Sequence, residues 1–137
     1  MVDDMNAAEL VRDLKQGSEF ERIQAAYLLG HGRGGSRSRK ALIQALRDES
    51  STVRDEAGGA LGSMGSQEAL EDLVRSLQTL SPAEGRSTAW AVATLAATAS
   101  SVDREVAIAA LRSYHKRARG RTRTHALLLI ERLGERV

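Results

Sequence analysis

Leu46-Arg47-Asp48-Glu49-Ser50-Ser51-Thr52-Val53-Arg54-Asp55-Glu56-Ala57-Gly58-Gly59-Ala60-Leu61-Gly62-Ser63-Met64-Gly65-Ser66-Gln67-Glu68-Ala69-Leu70 is the stretch on which the fold turns. It reads as the end of one helix, a polar turn, a complete second helix, and a Gly-Ser turn into a third. Working outward, Arg54 has counterparts 32 residues away on either side, Arg22 and Arg86. An alanine follows each arginine three positions on, at Ala25, Ala57 and Ala89. Leu29-Gly30 and Leu61-Gly62 then recur, and Ala93-Thr94 stands at that offset in the third copy. Upstream, Leu10-Val11, Leu42-Ile43 and Leu73-Val74, each followed three residues later by leucine, mark a second recurring helix. A helix pair repeating at this period predicts a solenoid, because one pair cannot bury its apolar side alone.

The helices expected from this pattern are 6–16, 19–31, 37–48, 51–64, 66–80, 82–98, 101–117 and 121–135. They group into pairs over 6–32, 37–64, 66–98 and 101–135, within one domain spanning 1–137. Ser66 and Ser81 are the expected N-caps of the fifth and sixth helices, with Pro82 at the first helical position of the sixth. Ser101 precedes Asp103 and Glu105 at the start of the seventh, where acidic side chains suit the helix dipole. Short links place successive helices antiparallel.

The quoted stretch resembles the HEAT-like repeats of the phycobilisome-lyase type. Their pattern is a first helix ending in Leu-x-Asp, then Val-Arg-x-x-Ala-x-x-Ala-Leu-Gly, then a short Gly-containing turn. The second repeat matches almost fully. The first has Lys15 in place of the Asp and Glu21 in place of the Val. The third carries one inserted residue around Ser81-Pro82, and the fourth departs most, its nearest Arg-x-x-Ala being Arg123 to Ala126. The resemblance covers roughly 6–135 and implies an all-α, right-handed α-solenoid of about four helix pairs. It also implies that the Asp and Arg positions, Arg22, Asp48, Arg54 and Arg86, form a structural ladder between repeats. Such repeats occur in many unrelated proteins, so the resemblance leaves function open.

Bulk properties agree with an all-helical chain. Aromatic residues make up 3% of the 137 positions, and Pro82 is the one proline. Strands favour aromatic and β-branched residues, which are scarce here. With no cysteine there is no disulfide framework, thiolate metal site or cysteine nucleophile. The acidic start Met1-Val2-Asp3-Asp4 lacks the features of a signal peptide, and no apolar run approaches the roughly 20 residues that span a bilayer. The expectation is a cytoplasmic protein with no membrane contact. Lysine occurs only at 15, 40 and 116. That bias toward arginine fits a GC-rich, bacterial genome.

Net charge is +2, too small to demand a polyanionic partner. Its distribution is uneven, with residues 1–21 summing to −4 and residues 101–137 to +5. Two basic clusters stand out. The connector at 31–40 holds Arg33, Arg37, Arg39 and Lys40 among Gly and Ser; it is either a flexible edge for phosphates or an acidic protein, or a solvated turn. The segment at 115–125 holds Lys116, Arg117, Arg119, Arg121 and Arg123, more cations than a helix C-terminus requires. Among the aromatics, Phe20, Tyr27, Trp90 and Tyr114, the second and third are expected on the inner side of the second helices, where Trp90 is either packing or an interface anchor. Gly58-Gly59 inside a helix implies either close helix packing or a bare patch for a partner. The segment Ala126-Leu127-Leu128-Leu129-Ile130 is apolar almost all round, so the last helix is buried in its own pair or joins a second copy; a monomer and a homodimer through that helix both remain.

Catalytic constellations do not emerge. The three histidines are scattered, without the His-Glu dipeptides that iron-using HEAT-like hydroxylases carry. Neither a Gly-x-Ser-x-Gly elbow nor a Gly-x-Gly-x-x-Gly loop occurs. The reading is a non-catalytic module without cofactor or metal, an adaptor or regulatory subunit that binds another protein on the surface of the second helices. The alternative is a nucleic-acid-binding module that uses 31–40 and 115–125.

Overall fold

The computed structural model describes residues 7–32 and 35–137, and among these every regular element is helical. Eight α-helices follow in order: α1 (Ala7–Gln16), α2 (Glu19–His31), α3 (Ser36–Ala45), α4 (Ser51–Ser63), α5 (Leu70–Gln78), α6 (Arg86–Ala96), α7 (Ser101–Arg117) and α8 (Gly120–Arg132). They form four hairpins stacked side by side as an α-solenoid. One layer is the series α2, α4, α6 and α8, each packed on the next; in the other layer α1 packs on α3 and α5 on α7. Between α3 and α5 that second layer opens into a cleft of about 200 Å³, with Ile43, Leu46 and Arg47 facing Asp72 and Arg75.

Local chemistry explains the helix starts. Ser18 and Glu21 form a reciprocal capping box at α2, with bonds of 3.2 and 2.9 Å. Ser50 caps α4 by accepting from the Val53 amide at 3.2 Å. For α7 the cap is Ser100, accepting from Asp103 N at 3.3 Å. Ser66 does not cap. It precedes a 3-10 turn at Gln67–Ala69, and its hydroxyl is buried without a partner. The third helix ends at Ala45, short of 48, because Leu46, Arg47 and Asp48 close with i→i+3 bonds. That tightening turns the Asp48 carboxylate back toward α2 and onto the Ser50 amide at 2.9 Å.

The sixth helix begins at Arg86, four residues later than Pro82. Ser81 caps only an isolated turn over 82–85, accepting from Glu84 N at 3.3 Å. Gly85 then leaves helical geometry at φ −99° and ψ 21°, and packs tightly on Leu77 and Leu80. The turn is pinned from α7, where the Tyr114 hydroxyl donates to the Pro82 carbonyl at 2.5 Å and Arg117 to the Leu80 carbonyl at 3.3 Å.

Ala26, Leu42, Val53, Leu61, Leu73, Val92, Leu111 and Ile130 are fully enclosed, and the core runs unbroken through all four pairs. Within the second pair, Leu42, Ala45, Leu46, Val53, Ala57, Ala60 and Leu61 are buried and Ile43 is partly buried. Bare glycines bring the inner helices close. A Cβ on Gly30 would fall 2.7 Å from Ala60 Cα, and one on Gly62 would fall 2.8 Å from Ala91 Cα. These equivalent contacts set the register. Gly30 and Gly62 are 32 apart, whereas Ala60 and Ala91 are 31 apart, so the step from α4 to α6 is 31. The burial pattern of 57–63 repeats without change at 88–94. No residue is inserted near Ser81-Pro82; the outer helices already make this 31-residue step from Leu42 to Leu73.

Candidate protein-binding groove

The 31-residue step makes Tyr27, Gly59 and Trp90 structurally equivalent positions on three adjacent helices. All three line one groove of about 430 Å³ on the even-helix layer. Helix periodicity supplies the rest. His31 lies one turn after Tyr27, Glu56 and Ser63 lie one turn either side of Gly59, and Arg86 and Ser87 lie one turn before Trp90. His125 of α8 closes the far end.

Tyr27 is 50% exposed and stacks on His31 with ring centroids 4.2 Å apart. His31 Nδ1 lies 2.9 Å from the Tyr27 carbonyl oxygen, which fixes the imidazole along the helix. Trp90 is half-buried, packed against the core with its ring edge over Gly62. Its indole N–H has no hydrogen-bond partner among the described residues. Trp90 is therefore both a core neighbour and a groove wall. Gly59 between the two aromatics leaves the floor bare.

Asp55, just outside the groove, organises the start of the helix that carries Arg86 and Trp90. Asp55 Oδ1 accepts from the Thr88 amide at 2.8 Å and the Thr88 hydroxyl at 2.7 Å, and Oδ2 accepts from the Ser87 amide at 3.3 Å. Gly85 at the N-cap has no side chain, so a carboxylate from the neighbouring helix caps α6. Thr88 approaches so closely that a Cβ on Gly58 would overlap its hydroxyl. Gly58 thus serves packing of α4 on α6, and Gly59 does so in part, since a Cβ there would fall 3.1 Å from Ser87 Cβ while the residue also lines the groove. Burial pushes the Asp55 carboxyl above its usual range, against the pull of its three hydrogen bonds. Burial likewise raises Glu56, helped by the nearby Asp55 charge and opposed by His31. Burial lowers the His125 imidazole, with the Arg86 and Arg132 charges adding to that and a bond to the Arg86 backbone opposing it. The His125 Nε2 is buried without a partner.

The expected ladder divides. Arg22 holds Asp48 with two bonds, Nε to Oδ2 at 2.9 Å and NH2 to Oδ1 at 3.1 Å. Arg54 donates to the Asp48 carbonyl at 2.9 Å and, across to the next pair, to the Thr79 carbonyl at 3.3 Å. Arg86, grouped with them by its 32-residue spacing, makes no such bond. Its structural counterpart in α4 is Asp55 and that of Arg54 is Gly85, so the Arg86 side chain is exposed in the groove.

The two basic clusters lie on opposite edges of the solenoid. Bonds between neighbouring turns define these edges: Arg22–Asp48, Ser51–Glu84 and Arg117–Leu80 join one set, and Arg39–Glu68 and Gln67–Thr98 join the other. Arg37, Arg39 and Lys40 start α3 on the second edge, and Arg39 is paired with Glu68 at 3.1 Å. Arg33 lies outside the described residues. Arg117, Arg119, Arg121 and Arg123 are exposed on the first edge, two pairs away. On α8, Ala126, Leu129 and Ile130 are buried while Leu128 is 56% exposed.

A family model described as HEAT repeats matches residues 8–96. The chain belongs to the HEAT-repeat family. HEAT repeats generally mediate protein–protein interaction, and the family is typically a non-catalytic scaffold. A comparison with curated proteins gave no match. Among the described residues no three of His, Asp or Glu gather as a metal site, and no helix is long and apolar enough to cross a membrane. The matched span holds every groove residue except His125. Sequence reasoning named Tyr27 and Trp90 but missed His31, Glu56, Ser87 and His125. The first three were within reach, one helical turn from Tyr27, Gly59 and Trp90.

Proposed function

We propose that this HEAT-repeat protein is a non-catalytic adaptor or regulatory subunit, acting in the cytoplasm, that receives a segment of a partner protein in the groove of α2, α4, α6 and α8. The observation that carries this reading is the pair of solvent-reaching aromatics, Tyr27 and Trp90, flanking the bare backbone of Gly59. Aromatic anchors over a small-residue floor supply contact area at low conformational cost, as at binding hot spots. The basic clusters supply no comparable surface. They sit on opposite edges, and Arg39 and Arg117 are already engaged within the fold.

The test is site-specific photocrosslinking in cells with a photoreactive phenylalanine analogue at position 27, and a control analogue at Glu71 on α5. A single protein adduct from position 27, absent from position 71 and lost when Gly59→Arg fills the groove, is the expected result. Equal adducts from both positions would remove the groove from consideration. Steep salt-dependent retention of DNA, lost in Arg119→Glu with Arg121→Glu, would instead establish the nucleic-acid reading.

A further inference from the structure

The groove contains two opposite charges that do not neutralise each other. Glu56 on α4 and Arg86 on α6 line the same groove, and neither side chain has an ion pair or hydrogen bond among the described residues. Every other carboxylate beside them is engaged, since both oxygens of Asp55 accept from Ser87 and Thr88. Glu56 is half-buried, so water compensates its charge only in part, and its carboxylate gains from a cation that arrives from outside. Arg86 presents a guanidinium fork, suited to two parallel bonds with a carboxylate. Between and around the two charges lie the small residues Gly59, Ala60, Ser63 and Ser87. Nothing there prevents a polypeptide backbone from approaching.

We propose, on the basis of the groove as the binding site, that it selects a peptide segment bearing a cationic and an anionic side chain. The cation seats at Glu56 and the anion at Arg86, with an apolar side chain against Trp90. The groove is thus polar in direction. A segment with its charges exchanged meets like charge at both positions, which is a common means of excluding wrong partners. Trp90 makes occupancy directly visible, because it is the one tryptophan in the chain and its ring forms a wall of the groove.

The experiment uses the full chain and a displayed library of random 12-residue peptides, with binding of the selected synthetic peptides followed through Trp90 emission. The expected peptides share one Lys or Arg and one Asp or Glu at a fixed separation. Replacing the peptide cation by Glu should weaken binding about tenfold or more, and Glu56→Lys should restore it. Replacing the anion by Lys should be compensated in the same way by Arg86→Glu. Glu56→Gln and Arg86→Gln, milder changes at positions with no bonding partner, serve if a reversed variant does not fold; each should abolish one charge preference and leave the other. Peptides that move Trp90 emission but show no charge pair, or bind all variants equally, would overturn the charge assignment while leaving the groove as the site. Peptides that bind without moving Trp90 emission would overturn the groove as well.

Discussion

Replacing Asp55 with alanine removes three hydrogen bonds from the start of α6 at once. Loss of an N-cap acceptor destabilises by about 1 kcal/mol, with a range of roughly 0.5–2. The Thr88 hydroxyl, fully buried, would also lose its acceptor, and an orphaned buried donor adds about 1–3 kcal/mol. Relief of the carboxylate's own burial offsets part of this, so the net expectation is about 2 kcal/mol. Equilibrium urea unfolding, followed by circular dichroism at 222 nm and by Trp90 emission, measures it. Asp55→Asn keeps an acceptor for Thr88 but not for Ser87, so its loss should be about half that of alanine. Thr88→Val combined with Asp55→Ala should cost less than the sum of the two, by about 1 kcal/mol, because both remove the same bond. A loss below about 0.5 kcal/mol, or strict additivity, would refute the idea that one helix caps the next. The effect would also reach the groove, since the capped turn carries Arg86 and lies one turn before Trp90.

Gly30→Ala and Gly62→Ala should each destabilise by about 1–2 kcal/mol, because forced helix separation outweighs the roughly 1 kcal/mol gain in helix propensity. Gly35→Ala, whose Cβ would enter open space, is the control in the same urea series, and similar midpoints for all three would contradict the close approach. Glu56→Gln should stabilise the protein at neutral pH. The folded Glu56 pKa is raised above its ordinary 4.5, so its contribution is present below that value and lost as pH rises through the folded pKa. The gap between variant and parent should therefore close on acidification toward and below 4.5; a gap independent of pH would show that the carboxyl is not perturbed. Arg119→Glu with Arg121→Glu should leave both the urea midpoint and photocrosslinking from position 27 unchanged, since both side chains are exposed away from the groove.

Much of this protein is local and therefore legible in the chain. Leucine and alanine at helical spacing, Ser18 with Glu21, and a period near 32 define the helix pairs, because amphipathic pattern and capping act within a few residues. Tyr27 and Trp90 could be placed on the inner helices for the same reason. Spacing alone was misleading at Arg86, where an arginine in numerical register with Arg22 and Arg54 sits one position out of structural register. The outer helices carry a 31-residue step from Leu42 to Leu73 in the sequence, but the meeting of Gly30 with Ala60 and Gly62 with Ala91 was needed to place it on the inner helices. The cap from Asp55 to Thr88, the close approach of Gly58 and Gly59 to α6, and the unpaired Glu56 and Arg86 share one origin. Each depends on how two helices about 30 residues apart in sequence lie against each other, and that juxtaposition is set by side-chain interlocking across the interface rather than by the pattern along either helix.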